Sequence, residues 1–227
     1  MSETLEPTPR SQRSADDPHA GLPLLSSGAP LAEARLAMIM VHGRGASAES
    51  ILALSRELDA DDVAFLAPQA AGGTWYPYGF MSPIAANEPG ITSAMRSLTR
   101  VLEQIAFAKV PPQRTFLLGF SQGACLATEF IARNAQRYAG VASLSGGLIG
   151  PNETPRDYPG SLGGTPVFLG CSDVDVHIPA ARVRESAAVL RRLGAEVTLR
   201  LYPGMGHLVN GDEIETVRTM LATAMEQ

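Results

Sequence analysis

Thr115–Gly123 reads TFLLGFSQG, and the reading of this stretch decides the fold. Thr115–Phe120 is an apolar run of strand length. Ser121 follows it directly, and Gln122–Asn134 then carries apolar residues at helical spacing. A strand that passes into a helix through a serine needs small residues on either side, and Gly119 and Gly123 supply them. Glycine makes up 22 of the 227 residues, so chance alone sets glycines on both sides of some serine about one time in six. The pattern therefore counts through its context: a buried strand, a sharp turn, and a helix N-terminus that favours developing negative charge.

Working outward, strand-like and helix-like stretches alternate. Upstream, Arg35–Val41 (RLAMIMV) runs into His42-Gly43-Arg44-Gly45, followed by a helical stretch Glu49–Leu58, a strand Val63–Pro68 and a helix Ile91–Ala108 that Pro111 and Pro112 stop. Downstream come strands at Val141–Leu144 and Pro166–Gly170, a helix Ala180–Leu193, a strand Glu196–Tyr202 and a closing helix Asp212–Met225. The central strands are apolar throughout rather than alternating, the mark of strands covered on both faces. This order predicts an α/β fold, a doubly wound, mostly parallel sheet with helices on both faces. Residues 1–20 are polar and aperiodic, and are expected to form a flexible N-terminal tail ahead of a single domain over residues 21–227. The connections Gln69–Gly90 and Leu148–Thr165 exceed the usual ~2–6 residues, a length that points to function more often than to idle loop.

Composition closes off several classes. With 45% hydrophobic and 18% charged residues the chain is too apolar for intrinsic disorder, and no stretch approaches the roughly 20 consecutive apolar residues of a membrane span. A net charge of −5 gives no support to a nucleic-acid partner. Cys125 and Cys171 are too few for a disulfide framework or a zinc cage, and their apolar surroundings read as small buried hydrophobes. No basic segment followed by an apolar stretch opens the chain, so a cytoplasmic address is the expectation. Neither a P-loop nor a G-x-G-x-x-G motif occurs, and no cofactor or metal is expected.

A serine alcohol is a poor nucleophile at neutral pH and needs a base held by a third group. Of the four histidines, His19 lies in the expected tail and His42 ends an early strand. His207 follows the turn Tyr202-Pro203-Gly204-Met205-Gly206 before the last helix, on the sheet edge that carries Ser121, and is the candidate base. Asp173 and Asp175 leave the Pro166–Gly170 strand on that same edge. Either could orient the imidazole, and either could cap the following helix. His42-Gly43-Arg44-Gly45 can bring backbone N–H groups close to a ligand, so the N–H of Arg44 and the N–H of Gln122 are the natural oxyanion donors. In the Gln69–Gly90 connection, Trp75, Tyr76, Phe80 and Met81 are read as walls of an apolar substrate pocket, against the alternative of a satellite core beneath a long loop.

HGRGAS, LAPQA with TWYP, GFSQG, GCSDVDVHIP and YPGMGH occur in this order across most of residues 36–210. Together they resemble the phospholipase/carboxylesterase branch of the α/β-hydrolases, which includes acyl-protein thioesterases and small bacterial esterases. The resemblance implies an α/β-hydrolase fold, with Ser121 as nucleophile, His207 as base, and Arg44 with Gln122 as oxyanion donors. The family's acid stands in a D-P-x-V-P context, which Asp175-Val176-His177-Ile178-Pro179 matches better than Asp173 does. Two positions depart from the pattern. Val176 replaces a proline, and Arg44 stands where thioesterases usually carry an apolar residue, which points away from long-acyl protein substrates and toward a polar or anionic one. The resulting expectation is a serine carboxylesterase acting on small-molecule esters of short to medium acyl chains through an acyl-enzyme, as a monomer or homodimer. The alternatives are a lactone or dienelactone-type hydrolase, and a non-catalytic binding protein on a hydrolase scaffold.

Overall fold

Side-chain alternation along the central strands decides which helices cover which face. The computed structural model describes residues 15–226. In β2 (Leu36–Val41), Ala37, Ile39 and Val41 enter one buried cluster, while Leu36, Met38 and Met40 enter another on the opposite face. The first cluster is closed by α2 (Gly90–Phe107), α3 (Gln122–Arg133) and α4 (Ala180–Arg192), the second by α1 (Ala48–Leu52) and α5 (Gly211–Met225). Period-2 geometry thus turns a continuously apolar strand into two half-cores.

Among the described residues the sheet has seven strands in the order β1-β3-β2-β4-β5-β6-β7. β3 (Val63–Pro68), β4 (Thr115–Phe120), β5 (Gly140–Leu144), β6 (Pro166–Ser172) and β7 (Glu196–Tyr202) continue β2 in a parallel array, and only β1 (Leu24–Gly28) runs antiparallel, against β3. This is the doubly wound, mostly parallel α/β-hydrolase arrangement with helices on both faces. The expected bounds agree to within a residue or two, except that Glu49–Leu58 divides into α1 and a 3-10 turn, Ala53–Glu57. β1 carried no sequence signal. LLSSG is short and half-exposed at the sheet edge, and its pairing with β3 holds it rather than its own burial.

Of the segment expected to form a flexible tail, Asp17 and His19 are anchored to the domain, and residues 1–14 lie outside the described residues. His19 is buried. Its backbone N–H donates to Ser93 Oγ (2.9 Å), ring Nδ1 accepts from Ala71 N–H (3.0 Å), and Nε2 donates to the Trp75 carbonyl (2.9 Å). Asp17 accepts from Ser93 and pairs with Arg100 at 3.0 Å. Polarity had suggested a solvated end, but these polar groups are consumed by α2 and the 69–90 connection.

Both long connections are tied down. Asn87 accepts from Tyr78 N–H (2.8 Å) and donates to the Gly79 carbonyl (3.0 Å), folding the first onto itself. The second is gripped by Arg182, which donates to the carbonyls of Leu148 (2.8 Å) and Gly150 (2.6 Å), and by Glu129, which accepts from Ile149 N–H (3.0 Å). Gly150 N–H to the Phe80 carbonyl (2.7 Å) joins the two.

Candidate active site

Ser121 sits between β4 and α3 at φ 55°, ψ −120°, a left-handed conformation that a non-glycine residue adopts only when its surroundings enforce it. The surroundings leave no room for side chains on either side. A Cβ on Gly123 would stand 2.1 Å from the Val41 carbonyl oxygen, and one on Gly119 would stand 2.4 Å from the Gly123 carbonyl oxygen. The helix presses against β2 and β4 through these glycines, and the serine hydroxyl is thrust toward the ends of the strands.

His207 meets it there. Its Nε2 is 2.8 Å from Ser121 Oγ, and its Nδ1 is 2.7 Å from Asp175 Oδ2. A carboxylate can only accept, so Nδ1 carries the hydrogen and Nε2 presents a lone pair to the serine. The ring is held between Phe120 (centroids 5.1 Å apart) and the edge of His177 (4.8 Å). Asp175 Oδ1 accepts from the N–H groups of His177 (2.8 Å) and Ile178 (3.0 Å). Burial alone would raise the Asp175 carboxyl, but the bonds from His207 and these two N–H groups outweigh it, and the pKa lies below its ordinary value. Of the two aspartates left open by sequence, only Asp175 reaches His207. Asp173 accepts from Gly204 N–H (2.9 Å) and, together with the Ser172 hydroxyl on Gly206 N–H (3.0 Å), anchors the turn that delivers His207.

The backbone N–H groups of Arg44 and Gln122 donate to no acceptor among the described residues, and both residues border the same cavity as Ser121. Their side chains do something composition could not suggest: both grip the stretch 74–78. Gln122 Oε1 accepts from Trp75 N–H (2.9 Å) and its Nε2 donates to the Tyr76 carbonyl (2.8 Å). Arg44 donates to Thr74 Oγ1 (3.1 Å) and to the carbonyls of Pro77 (2.7 Å) and Tyr78 (2.5 Å).

The cavity measures about 300 Å³, the small end of the usual ~300–1,000 Å³ range. Tyr76 and Phe80 line it, together with Cys125 and Ile178, and His177 stands beside His207. Trp75 and Met81 do not line it. The Trp75 indole is fully buried, donates to the His42 carbonyl (2.9 Å) and packs between the His19 and His42 rings, while Met81 packs on the core. Trp75 is part of the main core and Met81 packs against it, apart from the cavity wall. Burial depresses the pKa of both His19 and His42, each ring having one nitrogen donating and one accepting, so both act as neutral struts. Burial pushes the Cys125 thiol up to about 12, so it is no thiolate nucleophile. Sequence reasoning passed over His177, Ile178 and Cys125 as lining. Their offsets were the available signal: His177 is two residues after Asp175, and Cys125 is one helical turn after Ser121. A larger depression of about 590 Å³ lies by β1 and the 53–61 turn, but no serine–histidine pair lines it.

Among the described residues no cluster of His, Cys, Asp and Glu could hold a metal ion, and no helix is long and apolar enough to cross a membrane.

Comparison with known proteins identifies relatives of the chain as a whole. The sequence profile of the Phospholipase/Carboxylesterase family matches residues 28–225. The crystal structure of a phospholipase/carboxylesterase from Dyadobacter fermentans superposes with a TM-score of 0.86 at 39% identity, covering 88% of this chain and 96% of that one. Acyl-protein thioesterase 1 of Gibberella zeae is 26% identical over 81% of this chain and 88% of its own length. Carboxylesterase SOBER1 of Arabidopsis thaliana is 21% identical over 83% and 90%.

Proposed function

The chain belongs to the phospholipase/carboxylesterase family, and on that premise we propose that it is a serine carboxylesterase of short to medium acyl esters, working through an acyl-enzyme. The observation that carries this reading is the unbroken chain from Ser121 Oγ through His207 to Asp175, at 2.8 and 2.7 Å. Ser121 Oγ attacks the ester carbonyl while His207 Nε2 takes its proton. Asp175 holds the tautomer and stabilises the imidazolium that forms. The N–H groups of Arg44 and Gln122 face the developing oxyanion, and the start of α3 adds the favourable end of its dipole. The imidazolium then returns its proton to the leaving alkoxide. Water, activated by the same imidazole, releases the acid by the reverse sequence. The modest cavity volume of about 300 Å³, with Tyr76, Phe80 and Cys125 in its lining, argues for a short to medium acyl group. A complete serine–histidine–aspartate chain argues against a non-catalytic scaffold.

The test is hydrolysis of 4-nitrophenyl esters from acetate to palmitate, with Ser121→Ala beside the wild type and a fluorophosphonate to trap the serine. Activity should peak at short to medium chains and fall by at least about 10³-fold in Ser121→Ala. Mass spectrometry should place the phosphonyl group on Ser121. A maximum at palmitate would overturn the acyl range, and labelling elsewhere would overturn the nucleophile.

A further inference from the structure

Three acceptors hold the Arg44 guanidinium, and all three are uncharged: Thr74 Oγ1 and the carbonyls of Pro77 and Tyr78. Among the described residues no carboxylate lies within 4.0 Å of it. Its charge is therefore fixed in place but not neutralised. Nε and one Nη2 hydrogen are also left over from the five donors of a guanidinium. Arg44 is exposed at the mouth of the cavity that holds Ser121, and no aspartate or glutamate lines that cavity. The other basic side chains of the lining are the imidazoles of His177 and His207. In a protein of net charge −5 this mouth stands out by its sign.

Holding a guanidinium rigid with neutral partners prepares it for an anion. The usual cost of immobilising a long side chain is already met by the fold, and the remaining donors can pair with a carboxylate. If Arg44 served only to brace the loop, its charge would be incidental, and a neutral donor would do as well. We infer that the physiological substrate is an ester that carries a carboxylate, read by Arg44, so that Arg44 sets substrate specificity with its side chain as well as offering its backbone N–H to the oxyanion. The inference rests on the esterase reading above.

The experiment compares kcat/KM within two matched pairs, each rate corrected for the ester's reactivity toward hydroxide. 4-Acetoxybenzoate against methyl 4-acetoxybenzoate sets the charge on the alcohol side. Mono-4-nitrophenyl adipate against its methyl ester sets it on the acyl side. The wild type should favour the charged member of one pair by about tenfold, the effect of one charge-assisted hydrogen bond at a partly exposed site. Raising KCl to 0.5 M should shrink that preference and leave the neutral ester unaffected. Arg44→Met should bring the ratio to unity whatever it does to absolute rates through the loosened loop, and Arg44→Lys should restore part of it. A wild type that hydrolyses both members of both pairs without preference overturns the inference and leaves the esterase reading standing. So does a preference that survives Arg44→Met or is insensitive to salt. Turnover of none of the four esters overturns the esterase reading itself.

Discussion

Asp175→Asn tests the site most sharply, because the structure dictates which way the new amide must face. Oδ1 of Asp175 accepts two backbone N–H groups, from His177 and Ile178, at 2.8 and 3.0 Å. In the asparagine variant the carbonyl oxygen has to keep that place. Turning the amide over would set its NH2 against two donors, one buried and one part-buried, and a buried donor left unsatisfied costs about 1–3 kcal/mol. The NH2 therefore faces His207 Nδ1, which must become an acceptor, and the ring hydrogen moves to Nε2. That nitrogen now donates to Ser121 and can no longer take its proton. The same exchange in a serine-protease triad costs about 10⁴ in kcat, or about 5 kcal/mol of transition-state stabilisation. Turnover of 4-nitrophenyl butyrate should fall by that order in Asp175→Asn, with little change in melting temperature. In Asp173→Asn the amide oxygen still accepts from Gly204 N–H, so kcat should stay within about threefold of wild type. An Asp175→Asn enzyme that keeps more than a tenth of its kcat, or an Asp173→Asn enzyme that falls as far, would refute this tautomer argument.

Two further outcomes concern stability. Glu213 is buried at the start of α5, and burial, helped by Asp212 and opposed by the N–H of Asn210, raises its pKa from 4.5 to about 7. A raised carboxyl pKa gives stability that is fully present below pH 4.5 and lost as pH rises through 7, at most about 3 kcal/mol by pH 8.5. Glu213→Gln cannot ionise and keeps an oxygen for Asn210. Its melting temperature should therefore match wild type at pH 5 and exceed it by about 6–10 °C at pH 8.5, and a gap independent of pH would count against the mechanism. Gly123→Ala puts a Cβ 2.1 Å from the Val41 carbonyl oxygen, a backbone atom that cannot step aside. It should cost about 3 kcal/mol or more, lowering the melting temperature by about 6–12 °C and taking esterase activity with it. A shift under about 2 °C would show that the elbow has slack.

What sequence alone could determine follows from short-range physics. An apolar run with no alternation means a strand covered on both faces, and TFLLGFSQG can place a serine between strand and helix only through glycines on both sides. His207 was legible for a similar reason, since a Gly/Pro turn between the last strand and the last helix sets it on the serine's edge of the sheet. The undetermined parts were those settled by partners distant in the chain. Asp173 and Asp175 differ by two residues, yet Asp175 alone reaches His207, 32 residues away. β1 is a strand only because β3 lies beside it. Trp75 looked like a pocket wall because it is large, apolar and in a loop, and His19 looked solvated because its neighbours are polar. In the fold each satisfies the other, the Trp75 carbonyl accepting from His19 Nε2 across 56 residues. The side chains of Arg44 and Gln122 were assigned no structural work by their sequence context, and tertiary structure alone brings the 74–78 stretch under both. Sterics and periodicity act over a few residues and can be read from the text. Hydrogen-bond satisfaction in a buried site is a property of what the fold brings together, and that set Asp175 rather than Asp173 against His207, assembled the cavity walls and left an uncompensated charge at the mouth.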